Sequence, residues 1–367
     1  MVFKDKIFIF LILAIVVAGF IISGFFESVF NQKVNLVIDA VGKKEPVYSK
    51  GIYVTFRTAG TSRMNEIIDL IKDTELNTVV IDIKDYTGRV PFDTQSDLVD
   101  EIGSEKIYIS DIEGLISKLK KEGIYTIARI AVFEDNFLPL KKPYLAIKTR
   151  QGFVWRDYRG IAWLDPASQE VWDYVVALAK EAARVGFDEV NLDYIRFPSD
   201  GNMSDAIFPY WDYTTPKKEV IRGFFEYVSS RIRPMGVYLS ADLFGLTTTS
   251  TNDLNIGQWL EYAAPYFDYL CPMIYPSHYP SGHLGFANPA AHPYEVVYEG
   301  LAVARERLAS MSFSARLRPW LQDFNLGAHY GTDLVNLQKQ AVYDAGAFGW
   351  LFWNPRNIYY RDEFLGE

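Results

Sequence analysis

From Gly51 to Trp353 the chain alternates short apolar runs with longer amphipathic stretches. Eight runs read as strands: Gly51–Phe56, Thr78–Ile83, Tyr125–Val132, Glu189–Tyr194, Val237–Leu243, Tyr269–Tyr275, Arg316–Leu321 and Gly349–Trp353. Between them the spacing predicts helices. Ser62–Lys72 sets Ile67, Ile68 and Ile71 on one side, and Ser110 can cap Asp111–Lys121 ahead of Gly123. Ser168–Arg184 is stopped by Gly186, and Lys217–Arg233 and Pro293–Ala309 follow. Thr332 can cap the last helix, Asp333–Ala345. Runs such as VVID and YLCPMI are apolar on both faces, as strands covered by helices must be. Strand and helix in strict alternation imply right-handed crossovers and a parallel sheet. A doubly wound open sheet is the rival, but no glycine-rich phosphate loop follows the first strand. The expected fold is an α/β (β/α)₈ TIM barrel.

The pattern differs ahead of that barrel. Lys4 and Lys6 precede Ile7–Phe26, a run of 20 residues without a charge. At helical rise this run matches the thickness of a bilayer. It is longer than the apolar core of a usual signal peptide, and no clear A-x-A site follows. The expectation is a transmembrane helix serving as an uncleaved, single-pass cell-membrane anchor over residues 1–26, with secretion after cleavage as the alternative. Positive charge ahead of the run leaves the N-terminus inside and the body extracytoplasmic. Residues 27–50 read as a stalk, and 51–367 as the catalytic barrel.

Composition narrows the function. Hydrophobic residues make up 49% of the chain and charged ones 23%, enough to bury a large core. A net charge of −9 argues against nucleic acid, which needs a basic face. Cys271 is the only cysteine, so no intrachain disulfide forms, and its apolar run marks it as an inert buried thiol. Histidines 278, 283 and 292 lack a carboxylate pattern suited to zinc, so neither metal nor organic cofactor is expected. Aromatic residues reach 16%; most Phe are expected in the core, while Trp and Tyr at strand ends can stack on sugar rings.

In a barrel of this type, polar residues at the C-terminal strand ends face the active site. The segment GFDEVNLDYIRFP stands at the fourth strand, and alternation puts Asn191 and Asp193 on one face. Asn191 would lie a layer below Asp193 and could orient it, while Arg196 could hold it ionised. Asp242, at the exit of the fifth strand, would neighbour Asp193 at a strand separation of about 4.8 Å. That separation approaches the roughly 5–5.5 Å of a retaining glycosidase pair. Asp193 and Asp242 are therefore the expected catalytic residues. Asp82, Lys84 and Asp85 close the second strand; they read either as sugar ligands or as a salt-bridged turn. Tyr275 and His278 after the sixth strand could bind a substrate oxygen. Trp320, Gln322, Asp323 and Trp353 complete the expected substrate-binding set, with the two tryptophans as its floor. Asp165, just before Pro166, reads first as a turn former.

The motifs VVIDIKDYTG, WLDPAS, GFDEVNLDYIRFP, SADLFG, DYLCPMIYPSHY, RPWLQDF and GWLFWN together resemble the barrel-type family named "putative glycosyl hydrolase domain", a mostly bacterial group. More distantly, an Asp ending strand four followed by an acid after strand five is similar to α-amylase-type glycosidases. That resemblance implies Asp193 as nucleophile and Asp242 as acid/base, although this chain has Asp where that family has Glu. The M-x-Y motif at Met273–Tyr275 is similar to chitinase-like barrels, but their D-x-x-D-x-D-x-E signature is absent. The resemblance implies hydrolysis of glycosidic bonds in a poly- or oligosaccharide. Two other readings stay open: a non-catalytic glycan-binding barrel, and a transglycosylase using the same acids.

Overall fold

The computed structural model describes residues 45–311 and 315–366. The run expected to span a membrane lies outside these residues. Among the described residues no helix is long and apolar enough to cross a membrane.

Nine strands form one closed parallel sheet: β1 (Ser49–Val54), β2 (Thr78–Lys84), β3 (Tyr125–Ala131), β4 (Glu189–Asp193), β5 (Tyr238–Phe244), β6 (Tyr269–Met273), β7 (Arg316–Leu317), β8 (Trp320–Gln322) and β9 (Gly349–Trp353). Each strand from β1 to β5 pairs with the next, β5 pairs with β6, and β9 returns to β1. The seventh staves of the barrel are β7 and β8 together, both paired with β6. The expected single strand Arg316–Leu321 is broken at Arg318-Pro319, where Pro319 has no N–H to give to the ladder. The first strand starts at Ser49, two residues before Gly51.

Among the described residues six helices of ten or more residues wrap the outside: α1 (Arg63–Lys72), α2 (Ile112–Lys121), α3 (Gln169–Val185), α4 (Lys217–Ile232), α5 (Pro293–Ala309) and α6 (Thr332–Asp344). Asp111, not Ser110, caps α2, its carboxylate accepting the Gly114 N–H at 2.8 Å. Gly186 ends α3 in the left-handed region at φ 99°, which spares a side chain the steric cost of that turn into β4. The connection from β5 to β6 carries only a 3₁₀ turn, Gly245–Thr248, and one α-helical turn, Leu260–Ala263.

Two apolar layers result. Outward-facing strand residues such as Ile81, Ile130, Leu192 and Leu243 pack under the helices. Inward-facing residues, including Tyr53, Val80, Ile127, Tyr269, Cys271 and Leu351, fill the barrel. At the barrel's lower end Glu189 and Arg318 form a fully buried ion pair, supported by Ser49, Tyr125 and Ser240 around them. Charge this deep is tolerable only when paired and hydrogen-bonded, so the pair belongs to the scaffold.

Candidate active site

Above that pair, alternation along the strands brings a second polar layer to the C-terminal mouth. It consists of Tyr53 (β1), Asp82 (β2), Arg129 (β3), Asn191 and Asp193 (β4), Asp242 (β5), Trp320 (β8) and Trp353 (β9). Arg129 is the hub. Its Nη1 reaches Asp82 at 2.6 Å, its Nη2 pairs with Asp193, and its Nε lies 3.9 Å from Asp242 Oδ2. Burial disfavours its charge, but Asp193 and Asp82 outweigh that and push its pKa well above the ordinary value. Arg129 is the only charged residue in Tyr125–Val132. A lone charge inside an apolar strand must find partners, and that signal was available in the sequence.

The carboxylates around Arg129 differ in environment. Asp82 lies beneath the mouth, held by Arg129 and by the Tyr53 hydroxyl. Burial pushes its carboxyl up to about 6 despite the guanidinium. Asp193 is 4% exposed, faces the cavity, and accepts the Tyr194 N–H at 2.6 Å besides its ion pair. Tyr194 itself is in the left-handed region at φ 54°, an unfavourable conformation for an aromatic residue and of the sort that clusters at functional sites. Asp242 Oδ1 accepts two N–H groups at 2.8 Å, from Asn191 and from the Trp320 indole. Its Oδ2 has no hydrogen-bond partner among the described residues. Burial, with the Asp193 charge adding to it, raises the Asp242 carboxyl well above the carboxylate range.

A cavity of about 590 Å³ opens over this layer, a size usual for small-ligand sites. Arg129, Asp193, Asp242, Tyr275, His278, Trp320 and Trp353 line it, as do Arg159, Arg196 and Phe324. Burial raises the Tyr275 hydroxyl well above its ordinary value, reinforced by the charges of Asp242 and Asp193. His278 packs edge-on against Tyr275 and Phe324, and burial lowers its pKa, so it is neutral at pH 7. Of the two expected floor tryptophans, Trp353 is partly exposed while Trp320 is buried and committed to Asp242. One face of Trp353 stacks on Tyr53 at 3.8 Å.

Five residues of the expected set sit away from the cavity wall: Asp82, beneath the mouth, and four others. Lys84 is turned aside by a register shift in β2 between Asp82 and Lys84, and binds Asp135 at 2.9 Å. Asp85 closes a turn with Thr87 and lies 3.6 Å from Arg57. Gln322 bonds Ser277, Phe324 and the Gln338 side chain through its own amide groups and backbone. Asp323 lines a separate hollow of about 380 Å³ with Glu363. Two expected contacts are also redistributed. Asn191 serves Asp242 rather than Asp193, and the partner of Asp193 is Arg129, not Arg196. Asp165 is a loop anchor, accepting N–H groups from Ala167, Tyr210 and Trp211.

Glu134, just beyond β3, adds a buried carboxyl that the sequence reading passed over. Burial pushes it up to about 8 although Arg159 pairs with it. Among the described residues no group of three or more His, Cys, Asp or Glu is arranged to hold a metal ion.

The barrel has counterparts among solved structures. The PgaB (BpsB) glycoside hydrolase domain from Bordetella bronchiseptica is similar over 88% of this chain and 100% of its own, at 13% identity and TM-score 0.63. Alpha-L-fucosidase isoenzyme 2 from Paenibacillus thiaminolyticus is similar over 86% of this chain and 47% of its own, at 13% identity and TM-score 0.56. The α-galactosidase TtGalA from Thermus thermophilus, in complex with stachyose, matches 89% of this chain and 66% of its own at 14% identity and TM-score 0.53. At such identities the likeness is one of fold. No curated protein sequence matches the chain significantly. The family model described as "Putative glycosyl hydrolase domain" matches residues 51–359, and the chain belongs to that family.

Proposed function

We propose that the chain is a retaining glycoside hydrolase acting on a poly- or oligosaccharide, with Asp193 as nucleophile and Asp242 as acid/base. One observation carries the reading: two inward carboxyl groups at the same depth on adjacent strands, Asp193 bound to the Arg129 guanidinium and Asp242 buried with a raised pKa. Leu192 pairs with Ala241, so Asp193 and Asp242 are neighbours across the ladder. Adjacent strands about 4.8 Å apart suit the roughly 5–5.5 Å carboxyl separation of retaining enzymes, not the wider gap of inverting ones.

The roles follow from the surroundings. Asp193 is ion-paired to Arg129 and lines the cavity, where a nucleophile must stand. Asp242 is raised by burial and by Asp193, so it keeps its proton. Both N–H donors occupy Oδ1. The proton therefore resides on Oδ2. In the first step Asp193 attacks the anomeric carbon while Asp242 gives its proton to the glycosidic oxygen, and the bond to the leaving sugar breaks. In the second step Asp242, now a carboxylate, takes a proton from water, whose oxygen displaces Asp193 from the anomeric carbon. Tyr275 and Trp353 border the space where the reacting ring sits.

Family membership and neighbours named as glycosidases support a carbohydrate substrate. Lys4 and Lys6 ahead of the 20-residue apolar run support an anchored, extracytoplasmic barrel acting on a cell-surface or environmental glycan. The test is glycan cleavage by Asp193→Asn and Asp242→Asn. Both are expected to lose at least about 100-fold in kcat. Asp193→Asn hydrolysing an active glycan at the wild-type rate overturns the assignment.

A further inference from the structure

Arg196 is a guanidinium that lines the cavity with hydrogen-bond donors unused. It is 7% exposed, yet among the described residues no carboxylate lies within the 4.0 Å of an ion pair. The acids in its neighbourhood are already engaged or remote: Asp193 pairs with Arg129, Glu134 pairs with Arg159, and Asp200 makes no ion pair with it. Its side chain is fixed between aromatic faces, 4.5 Å from the Phe244 centroid and 4.8 Å from that of Trp163. Nη1 is consumed by the Phe197 carbonyl at 3.0 Å and the Ser199 hydroxyl at 3.2 Å. Nε and Nη2, the side-on fork, donate to no group among the described residues. Arg159, half exposed, lines the same cavity wall, as does Ser199.

A buried charge without a counter-ion is costly, and burial does lower the Arg196 pKa. Aromatic contacts recover part of that cost. They give no acceptor to Nε and Nη2, on a wall of the cavity that Asp193 also lines. The two parallel N–H vectors of that fork match the two oxygens of a carboxylate.

The geometry points to Arg196, backed by Arg159, as the binding site for the carboxylate of an acidic sugar, so that the substrate is a uronate-containing glycan. The inference rests on the proposed glycosidase reading and narrows its substrate class. Sugar sulfates and phosphates share the anionic chemistry but present tetrahedral oxygens.

Two measurements test this. In the first, Asp193→Asn is titrated with sodium glucuronate, sodium galacturonate, glucose 6-sulfate, glucose 6-phosphate and glucose. A uronate is expected to bind at least about 10-fold more tightly than glucose and more tightly than the sulfate and phosphate esters. Arg196→Gln in the same background is expected to erase the difference. Should that variant misfold, Arg196→Lys keeps the charge but loses the fork, and the uronate preference is expected to fall while the sulfate ester suffers less. In the second, the wild type is offered a uronate-rich polysaccharide and the same material after reduction of its carboxyl groups. Cleavage of the native polymer is expected to exceed that of the reduced one by at least about 10-fold in kcat/KM.

Equal binding of glucose and both uronates overturns the inference, as does preference for a sulfate or phosphate ester over both uronates. Asp193-dependent cleavage of neutral glycans alone overturns it while leaving the glycosidase reading standing. Uronate binding lost in Arg196→Gln, without cleavage of any glycan, upholds the subsite and overturns the glycosidase reading.

Discussion

Replacing Arg129 with Leu removes the cation that Asp82, Asp193 and Asp242 share. Asp82 loses its 2.6 Å partner, Asp193 loses its ion pair, and Asp242 loses the cation 3.9 Å from Oδ2. Breaking a buried pair from one side costs about 3–5 kcal/mol because the remaining charge is stranded. Here two carboxylates are stranded at once, so protonation is their escape. Asp82 already titrates near 6 with Arg129 present, above its ordinary 3.8, because burial outweighs the guanidinium. Without Arg129 it must rise further. A carboxyl with a raised folded pKa makes the folded state bind more protons than the unfolded one. Stability is therefore lost as pH rises through that pKa and regained as pH falls. At pH 7.5 and about 2 °C per kcal/mol for a domain of this size, Arg129→Leu should lower Tm by roughly 6–10 °C. The deficit should shrink below pH 6. Adding Asp82→Asn should return part of the loss, because it removes one stranded charge. Thermal denaturation across pH 5–8 measures all three effects. A Tm within 1 °C of the wild type at pH 7.5 would refute the hub.

Other expectations concern single contacts. Activity should fall on the alkaline side as Asp242 loses its proton, and Trp320→Phe should move that limb upward by about one pH unit, since the indole N–H favours the charged form; a pH–rate profile of kcat/KM decides it. Glu189→Gln should cost about 3–5 kcal/mol of stability by stranding Arg318, read by thermal denaturation, and should leave the alkaline limb of the profile where it was. Gly245→Ala should weaken substrate binding, because a Cβ there would stand 2.5 Å from the Met273 carbonyl and 2.6 Å from the Tyr279 hydroxyl on the cavity wall; a rise in KM exceeding any loss of kcat checks it.

The barrel was legible because its apolar runs carry the strand period and its helices carry their own stops, Gly186 being the clearest. Asp193 and Asp242 were legible for the same reason: each is an acid at the exit of an apolar strand. What escaped depends on sideways relations. Asn191 lies on the Asp193 face of β4, but its amide reaches across to β5 and bonds Asp242. Lys84 shares a sequence parity with Asp82, and the extra residue in β2 breaks that parity. Arg196 is near Asp193 in the chain, yet the turn at Tyr194 carries it to a different wall, between Trp163 and Phe244. Arg129 is the instructive omission. Its strand was recognised, and the solitary charge within it was the mark of the ion-pair hub.

The most direct test of the central claim is the anomeric configuration of the first product formed from a cleaved glycan, followed by proton NMR before mutarotation. Two carboxyl groups on adjacent strands, with Asp193 attacking and Asp242 protonating, require net retention. Inversion at the anomeric carbon would contradict the assignment of Asp193 as nucleophile.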